Sequence, residues 1–153
     1  MLSSDLIANP LAYPMDGPDP VPPDGPPEII DLLHNISKIG SIYIATLKDY
    51  ESVKLILAKN NVFVPESKIL HQAIISTKLQ ALDMIKNIEK IEKTDIYLFD
   101  DNINHLIEPF TEGYQVYQTT WGNVPADYID QANQRNVPLI DFKGLKQLTA
   151  SIN

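Results

Sequence analysis

Asp95-Ile96-Tyr97-Leu98-Phe99-Asp100-Asp101-Asn102 runs an apolar strand straight into two adjacent carboxylates. Buried strands read as short apolar runs, and ligands of open α/β sheets sit just beyond the strands' carboxyl ends. Two carboxylates there repel each other and are costly to desolvate unless a cation or a set of donors compensates. A hard divalent ion such as Mg²⁺ is one such compensation, since it takes oxygen ligands and often only one or two carboxylates. The plainer alternative is a solvated acidic turn capping the next helix, because Asp and Asn are good N-caps. Asp100 and Asp101 are therefore the candidate metal pair.

On both sides of this strand, helices and strands alternate. Ile29, Leu32, Leu33 and Ile36 recur at helical spacing, with Pro27 suited to the first turn and Gly40 to the stop. Ile42-Tyr43-Ile44-Ala45 reads as a short buried strand ending at Thr46. A second helix carries Tyr50, Val53, Ile56 and Leu57 on one face. A third begins near Thr77, where Thr77 and Gln80 have the spacing of a capping box. Beyond the acidic strand, Ile103, Leu106, Ile107 and Phe110 are helical, with Gly113 as the stop. Tyr114 to Gln118 reads as a strand, Tyr128 to Ala132 as a helix, Val137 to Ile140 as a strand, and Leu145 with Leu148 as a last helical segment. This order predicts an α/β domain with a mainly parallel sheet over residues 28–153. Residues 1–27 hold most of the twelve prolines, which supply no donor and extend their predecessors. That stretch is predicted to be an extended arm or linker, neither helix nor central strand.

Composition narrows the function classes. The 153 residues suit one domain with a sizeable core, and the formal net charge of −8 argues against a generic electrostatic grip on nucleic acid or anionic lipid. Without cysteine there is no disulfide framework, thiolate zinc site or cysteine nucleophile. No apolar run approaches the roughly 20 residues of a membrane span, and the start lacks the order of a signal peptide. A cytoplasmic protein is the expectation; one secreted by a non-classical route would look the same.

Three features fall at one end of the expected sheet: Thr46 after its strand, Asp100 and Asp101 after theirs, and Lys78 in the first turn of the helix leading into the acidic strand. A hydroxyl, an ammonium and a metal-holding carboxylate pair are what a phosphoryl group needs: a donor, a countercharge and a bridging cation. Read singly, Thr46 starts a turn and Lys78 is a solvated lysine. Their order and spacing carry the reading.

In that order the chain resembles the haloacid dehalogenase (HAD) superfamily, mostly Mg²⁺-dependent phosphatases. Ile42-Tyr43-Ile44-Ala45-Thr46 is similar to the family's second motif, Ser76-Thr77-Lys78-Leu79 to the third, and Ile96-Tyr97-Leu98-Phe99-Asp100-Asp101 to the fourth. The resemblance covers roughly residues 27–121. It implies a HAD-like, Rossmann-like three-layer sandwich, with Thr46 and Lys78 on phosphate, Asp100 and Asp101 on Mg²⁺, and a phosphorylated small molecule or phosphoprotein as substrate. No insertion is long enough to be an obvious cap.

The family's first motif, an apolar central strand ending in Asp-x-Asp, is absent ahead of Glu28. Asp16-Gly17 and Asp24-Gly25 lie among prolines with no apolar strand before them. The chain as given therefore lacks a recognisable nucleophile. Three accounts stand: a chain starting after the motif, with Met1-Leu2-Ser3-Ser4-Asp5 as the turn that follows it; a catalytically silent relative in which residues 1–8 replace the strand; or a permuted order in which Pro138-Leu139-Ile140-Asp141 stands in and Asp141 is the nucleophile. Without a central strand the sheet would expose two unpaired edges, which favour self-association.

Two other classes compete. Leu98-Phe99-Asp100-Asp101-Asn102 also resembles the opening of a response-regulator receiver domain with Asp141 as phosphoacceptor, although too little chain follows Asp141 for the rest. A non-enzymatic interaction module on a HAD-like scaffold would use the proline arm to dock a partner. His34, His71 and His105 lack metal-site spacing. His105 is read as a solvated helix position rather than a pocket residue, and Trp121 as partly buried core rather than the rim of a site.

Overall fold

The computed structural model describes residues 2–3 and 26–151; the proline-rich stretch from 4 to 25, with its Asp-Gly pairs, lies outside them. Six strands, β1 (Leu2–Ser3), β2 (Ile44–Ala45), β3 (Ile69–Leu70), β4 (Tyr97–Asp100), β5 (Gln115–Thr119) and β6 (Leu139–Ile140), form one sheet in the order β3-β2-β1-β4-β5-β6. Every pairing is parallel. The helices are α1 (Pro26–Ile39), α2 (Tyr50–Lys59), α3 (Lys78–Glu89), α4 (Ile107–Thr111), α5 (Ala126–Gln134) and α6 (Phe142–Ser151). The expected α/β class with a parallel sheet is the observed one.

Strand alternation builds the layers. Successive side chains of β4 point to opposite faces. Leu98 joins Tyr43, Ala45 and Val116 under Leu82 and Ile85 of α3, Leu106 ahead of α4 and Ala132 of α5. Phe99 faces the other way, against Leu32 and Leu33 of α1 and Leu145 of α6, and its ring stacks on Tyr97 and Tyr117. Ile44 packs on Val53, Ile56 and Leu57 of α2. The result is three layers, helices on both faces of one sheet.

Local chemistry sets the element ends. Asp49 caps α2 by accepting from Ser52 N at 2.9 Å. Thr77 caps α3 by accepting from Gln80 N at 3.1 Å, while Gln80 Oε1 reaches back to Ser76 N at 2.8 Å, one residue earlier than in a standard capping box. Gly113 ends the α4 region at φ +94°, a conformation that L side chains rarely adopt.

Two findings depart from the sequence-based expectation. β3 was not anticipated. Leu2–Ser3 lies in the middle of the sheet, where an arm was expected: Leu2 pairs with Ile44 on one side and Phe99 on the other, and Ser3 with Ala45. Pairing with both neighbours makes this two-residue segment a strand, and it closes the gap on which self-association through open central edges was premised. Helix α1 also begins at Pro26, inside the expected arm. Among the described residues no helix is long and apolar enough to cross a membrane.

The buried Tyr43 donates its phenol to Glu89 Oε1 at 2.6 Å, joining β2's approach to the end of α3. Burial first, then the Glu89 hydrogen bond and charge, push that phenol up from 10.0 to about 12. A group whose folded pKa is raised contributes stability that is complete below its unfolded value and lost as pH rises through the folded one. Alkaline denaturation should therefore steepen between pH 10 and about 12. In Tyr43→Phe this limb should flatten, at a neutral-pH cost of about 1 kcal/mol, as read by urea melts across pH.

Candidate functional site

The site lies at the carboxyl end of β4. Asp100 is fully buried, and its backbone carbonyl accepts from Thr119 Oγ1 at 3.4 Å on β5. Its carboxylate is held by three donors from three places. Oδ1 accepts from Asn102 N at 2.9 Å, a tight turn made by the side chain on its own backbone. Asn102 repeats the device, its Oδ1 accepting from Asn104 N at 3.0 Å. This starts a single 3₁₀ turn, Ile103–His105, that swings His105 back until Nδ1 stands 3.2 Å from Asp100 Oδ2. The third donor is Lys78, 3.4 Å from the same oxygen, with side-chain exposures of 2% and 0% for the pair.

Lys78 sits at the first position of α3, placed by the Thr77 cap, and its Nζ also donates to Ala45 O at 2.6 Å. Thr46 follows Ala45 directly. It is buried, its amide donates to Leu70 O at 2.9 Å, and its hydroxyl accepts from Lys48 N at 2.9 Å. The structure thus brings Thr46, Lys78 and Asp100 to one end of the sheet, as expected. Burial by itself would raise the Asp100 carboxyl; the His105 hydrogen bond, the Lys78 and His105 charges and the Asn102 amide outweigh it and hold the group below its ordinary value. Asp100 is a preorganised buried anion facing donors and cations.

Asp101, next in the chain, is half-buried. Asp141 stands apart: it follows the outermost strand, β6, is exposed, and accepts from Gly144 N at 2.6 Å at the start of α6. The permuted order would need β6 at the centre of the sheet. His105 is a correction: it is half-buried and bonded to Asp100, because the Asn102 turn folds back where a straight helix would have pointed it outward. Gln118 went unread. It pairs with Asp100 in register and is fully buried. Its Nε2 donates to Asp101 O at 2.8 Å and Thr119 O at 3.0 Å, which identifies Oε1 as the other amide atom, buried with no hydrogen-bond partner. The available signal was a glutamine inside a run of strand residues. Trp121 is half-buried and meets Phe142 edge-on at 6.0 Å.

Among the described residues no three His, Cys, Asp or Glu side chains gather into a metal cluster. The oxygen donors in and beside Asp100 are its own carboxylate, that of Asp101 next in the chain, and Gln118 Oε1 from the strand position paired with it in register. They are of the hard type that Mg²⁺ takes while keeping several waters. The donor set fits that ion and does not fit a soft transition metal.

Comparison with protein families and with curated proteins gives no match. Among solved structures, the fold is similar to that of a conserved haloacid dehalogenase-like protein of unknown function from Agrobacterium tumefaciens, with a TM-score of 0.60 and 14% identity. The match covers 85% of this chain and 59% of that one, so this chain spans about three-fifths of that protein's length. At that identity the likeness is one of fold: a HAD-like, Rossmann-like α/β sandwich.

Lys78→Met should cost about 3–5 kcal/mol in urea denaturation, because it leaves the Asp100 charge buried without its cation. Lys78→Met with Asp100→Leu should recover much of that loss. The lowered carboxyl pKa contributes stability present above about pH 4 and lost as pH falls through the folded value, so Asp100→Asn should flatten the acid limb of the stability profile.

Proposed function

We propose that this chain carries the phosphate-binding half of a HAD-type, Mg²⁺-dependent phosphomonoesterase site and binds a phosphorylated small molecule or phosphoprotein in the cytoplasm without turning it over. The observation that carries the reading is Lys78 Nζ, buried between Ala45 O and Asp100 Oδ2 at the carboxyl ends of β2 and β4. Thr46 donates to a phosphate oxygen, and Lys78 offsets the ligand's charge. Asp100 and Asp101 hold Mg²⁺, with Gln118 Oε1 as a further oxygen. When bound, the ion supplies Lewis-acid polarisation of the phosphoryl group.

The absence of turnover rests on the central strand. Ser3 pairs with Ala45 and lies one position beyond the Leu2–Phe99 rung, level with Asp100. The β1 position level with Asp100 is thus a serine, and the resembled family carries its nucleophilic aspartate at the carboxyl end of this strand. This favours the silent relative over a turn that merely follows a lost motif. Electrostatic groups without their nucleophile leave only residual catalysis. A silent site of this kind also suits an interaction module that recognises phosphate on a partner.

Titrating Mg²⁺ and then inorganic phosphate should shift the amide NMR signals around Thr46 and Asp101 saturably. In Asp100→Asn the Mg²⁺ affinity should fall about tenfold or more, and an unchanged response would remove the metal role. An aryl phosphate should not be hydrolysed. Robust Mg²⁺-dependent hydrolysis would overturn the silent assignment and make the aspartates ahead of Glu28 the first residues to replace.

A further inference from the structure

At the end of β4, two successive carbonyls are held by side chains of β5. Asp100, the last residue of β4, pairs in register with Gln118, and the β4–β5 pairing ends at that rung. The Asp100 carbonyl accepts from Thr119 Oγ1 at 3.4 Å, and the Asp101 carbonyl from Gln118 Nε2 at 2.8 Å. Gln118 thus carries the contact between the two strands one residue beyond the ladder. The Asp101 carbonyl shares its peptide unit with the Asn102 amide, which donates to Asp100 Oδ1 at 2.9 Å. A peptide unit is planar, and in the trans form its C=O and N–H point to opposite sides. Gln118 and the Asp100 carboxylate therefore grip one rigid unit from its two edges.

The Gln118 amide can lie only one way round. Nε2 faces two carbonyl oxygens, those of Asp101 and Thr119, and the reversed amide would set oxygen against oxygen at both. Oε1 is left buried with no hydrogen-bond partner, which forfeits its hydration. Side chains alternate along a strand, so Gln118 shares its face with Val116, which packs in the core with Leu98 and Leu106. An apolar residue there would extend that core and leave no orphaned acceptor. The polar side chain is accounted for by the peptide it holds, not by the burial it provides.

We propose that Gln118 is a positioning residue for the acidic pair: with Asp100 it clamps the Asp101–Asn102 peptide and so fixes where both carboxylates stand. Released at its carbonyl, that peptide would be free to turn, and Asp100 Oδ1 would lose the amide aimed at it. The turn from Asn102 to Asn104, ahead of the His105 ring that meets Asp100 Oδ2, starts from the same peptide. Asp101 is the residue whose carbonyl is pinned, so its side chain leaves the strand end in a set direction. This is a role for Nε2, distinct from any use of Oε1 as a metal ligand. The clamp itself stands on the hydrogen bonds; its consequence for Mg²⁺ rests on the reading proposed above.

The test is Gln118→Met, which removes the amide and nearly keeps length and volume. By amide hydrogen exchange without added Mg²⁺, Asn102 and Asn104 should lose protection about tenfold or more, the worth of one hydrogen bond. Val53, Ile56 and Leu57 of α2 should keep theirs. Mg²⁺ affinity, read from the Asp101 amide signal, should fall by a similar factor. Unchanged protection at Asn102 overturns the proposal, and so does protection lost equally in α2, which would make Gln118 a support of the whole fold. Where the wild-type chain binds Mg²⁺, equal affinity in Gln118→Met overturns it as well. A wild-type chain that binds no Mg²⁺ removes the metal reading instead, and exchange at Asn102 then decides the clamp alone. Should Gln118→Met not fold, the wild-type protein decides. Both Gln118 side-chain amide protons should exchange slowly, and exchange as fast as that of the exposed Gln72 overturns the clamp.

Discussion

The Lys78 ammonium reaches across the centre of the sheet. From the first turn of α3 it donates to the Ala45 carbonyl on one side of β1 and faces the Asp100 carboxylate on the other. Among the described residues, β1 pairs at two positions with β2 and at one with β4. A cation bonded to both flanking strands fixes their relative height. A buried ion pair is a poor source of net stability, because desolvation offsets its attraction, but removing either member is costly. Lys78 is thus a structural brace and, in the reading above, a ligand group, and the two roles cannot be varied separately.

The carboxylate it faces is positioned by economical means. Two successive side-chain-to-backbone turns, from Asp100 to Asn102 and from Asn102 to Asn104, convert a strand end into a 3₁₀ turn within five residues. Asn102, whose amide donates to Asp100 Oδ1 and whose carbonyl accepts from His105 N at 2.9 Å, therefore sets the His105 ring against Asp100. Replacing the first turn by a regular helix would move the imidazole away and leave the anion with fewer donors. The lowered proton affinity of Asp100 thus comes from this loop, through His105 and Asn102, together with the Lys78 charge.

Much of this was legible in the chain. Long periodic stretches such as Tyr50 to Leu57 and the run from Tyr97 to Phe99 declare their type because one face or both must be buried. The capping pair Thr77 and Gln80 marked the start of α3 and with it the place of Lys78. Leu2–Ser3 and Ile69–Leu70 were not legible in the same way. A two-residue strand has no period, and only the partners on either side make it one. Gln118 and His105 were hidden for related reasons: the first is buried by register with Asp100, the second by a turn whose hydrogen bonds appear only once Asp100 is fixed.

The position of β1 also bears on how the molecule is made. Leu2 leaves the ribosome well before its partner Phe99, which lies ninety-seven residues further along. At roughly 5–20 residues per second, that interval is about 5–20 s during which the innermost strand has no second neighbour. β2 and β3 can pair in the meantime, and β4 with β5 soon after, so two half-sheets form before the rung that joins them. Non-local pairings of this kind pay loop closure late and slow folding. The centre of the finished sheet thus waits on a pairing between residues far apart in the chain.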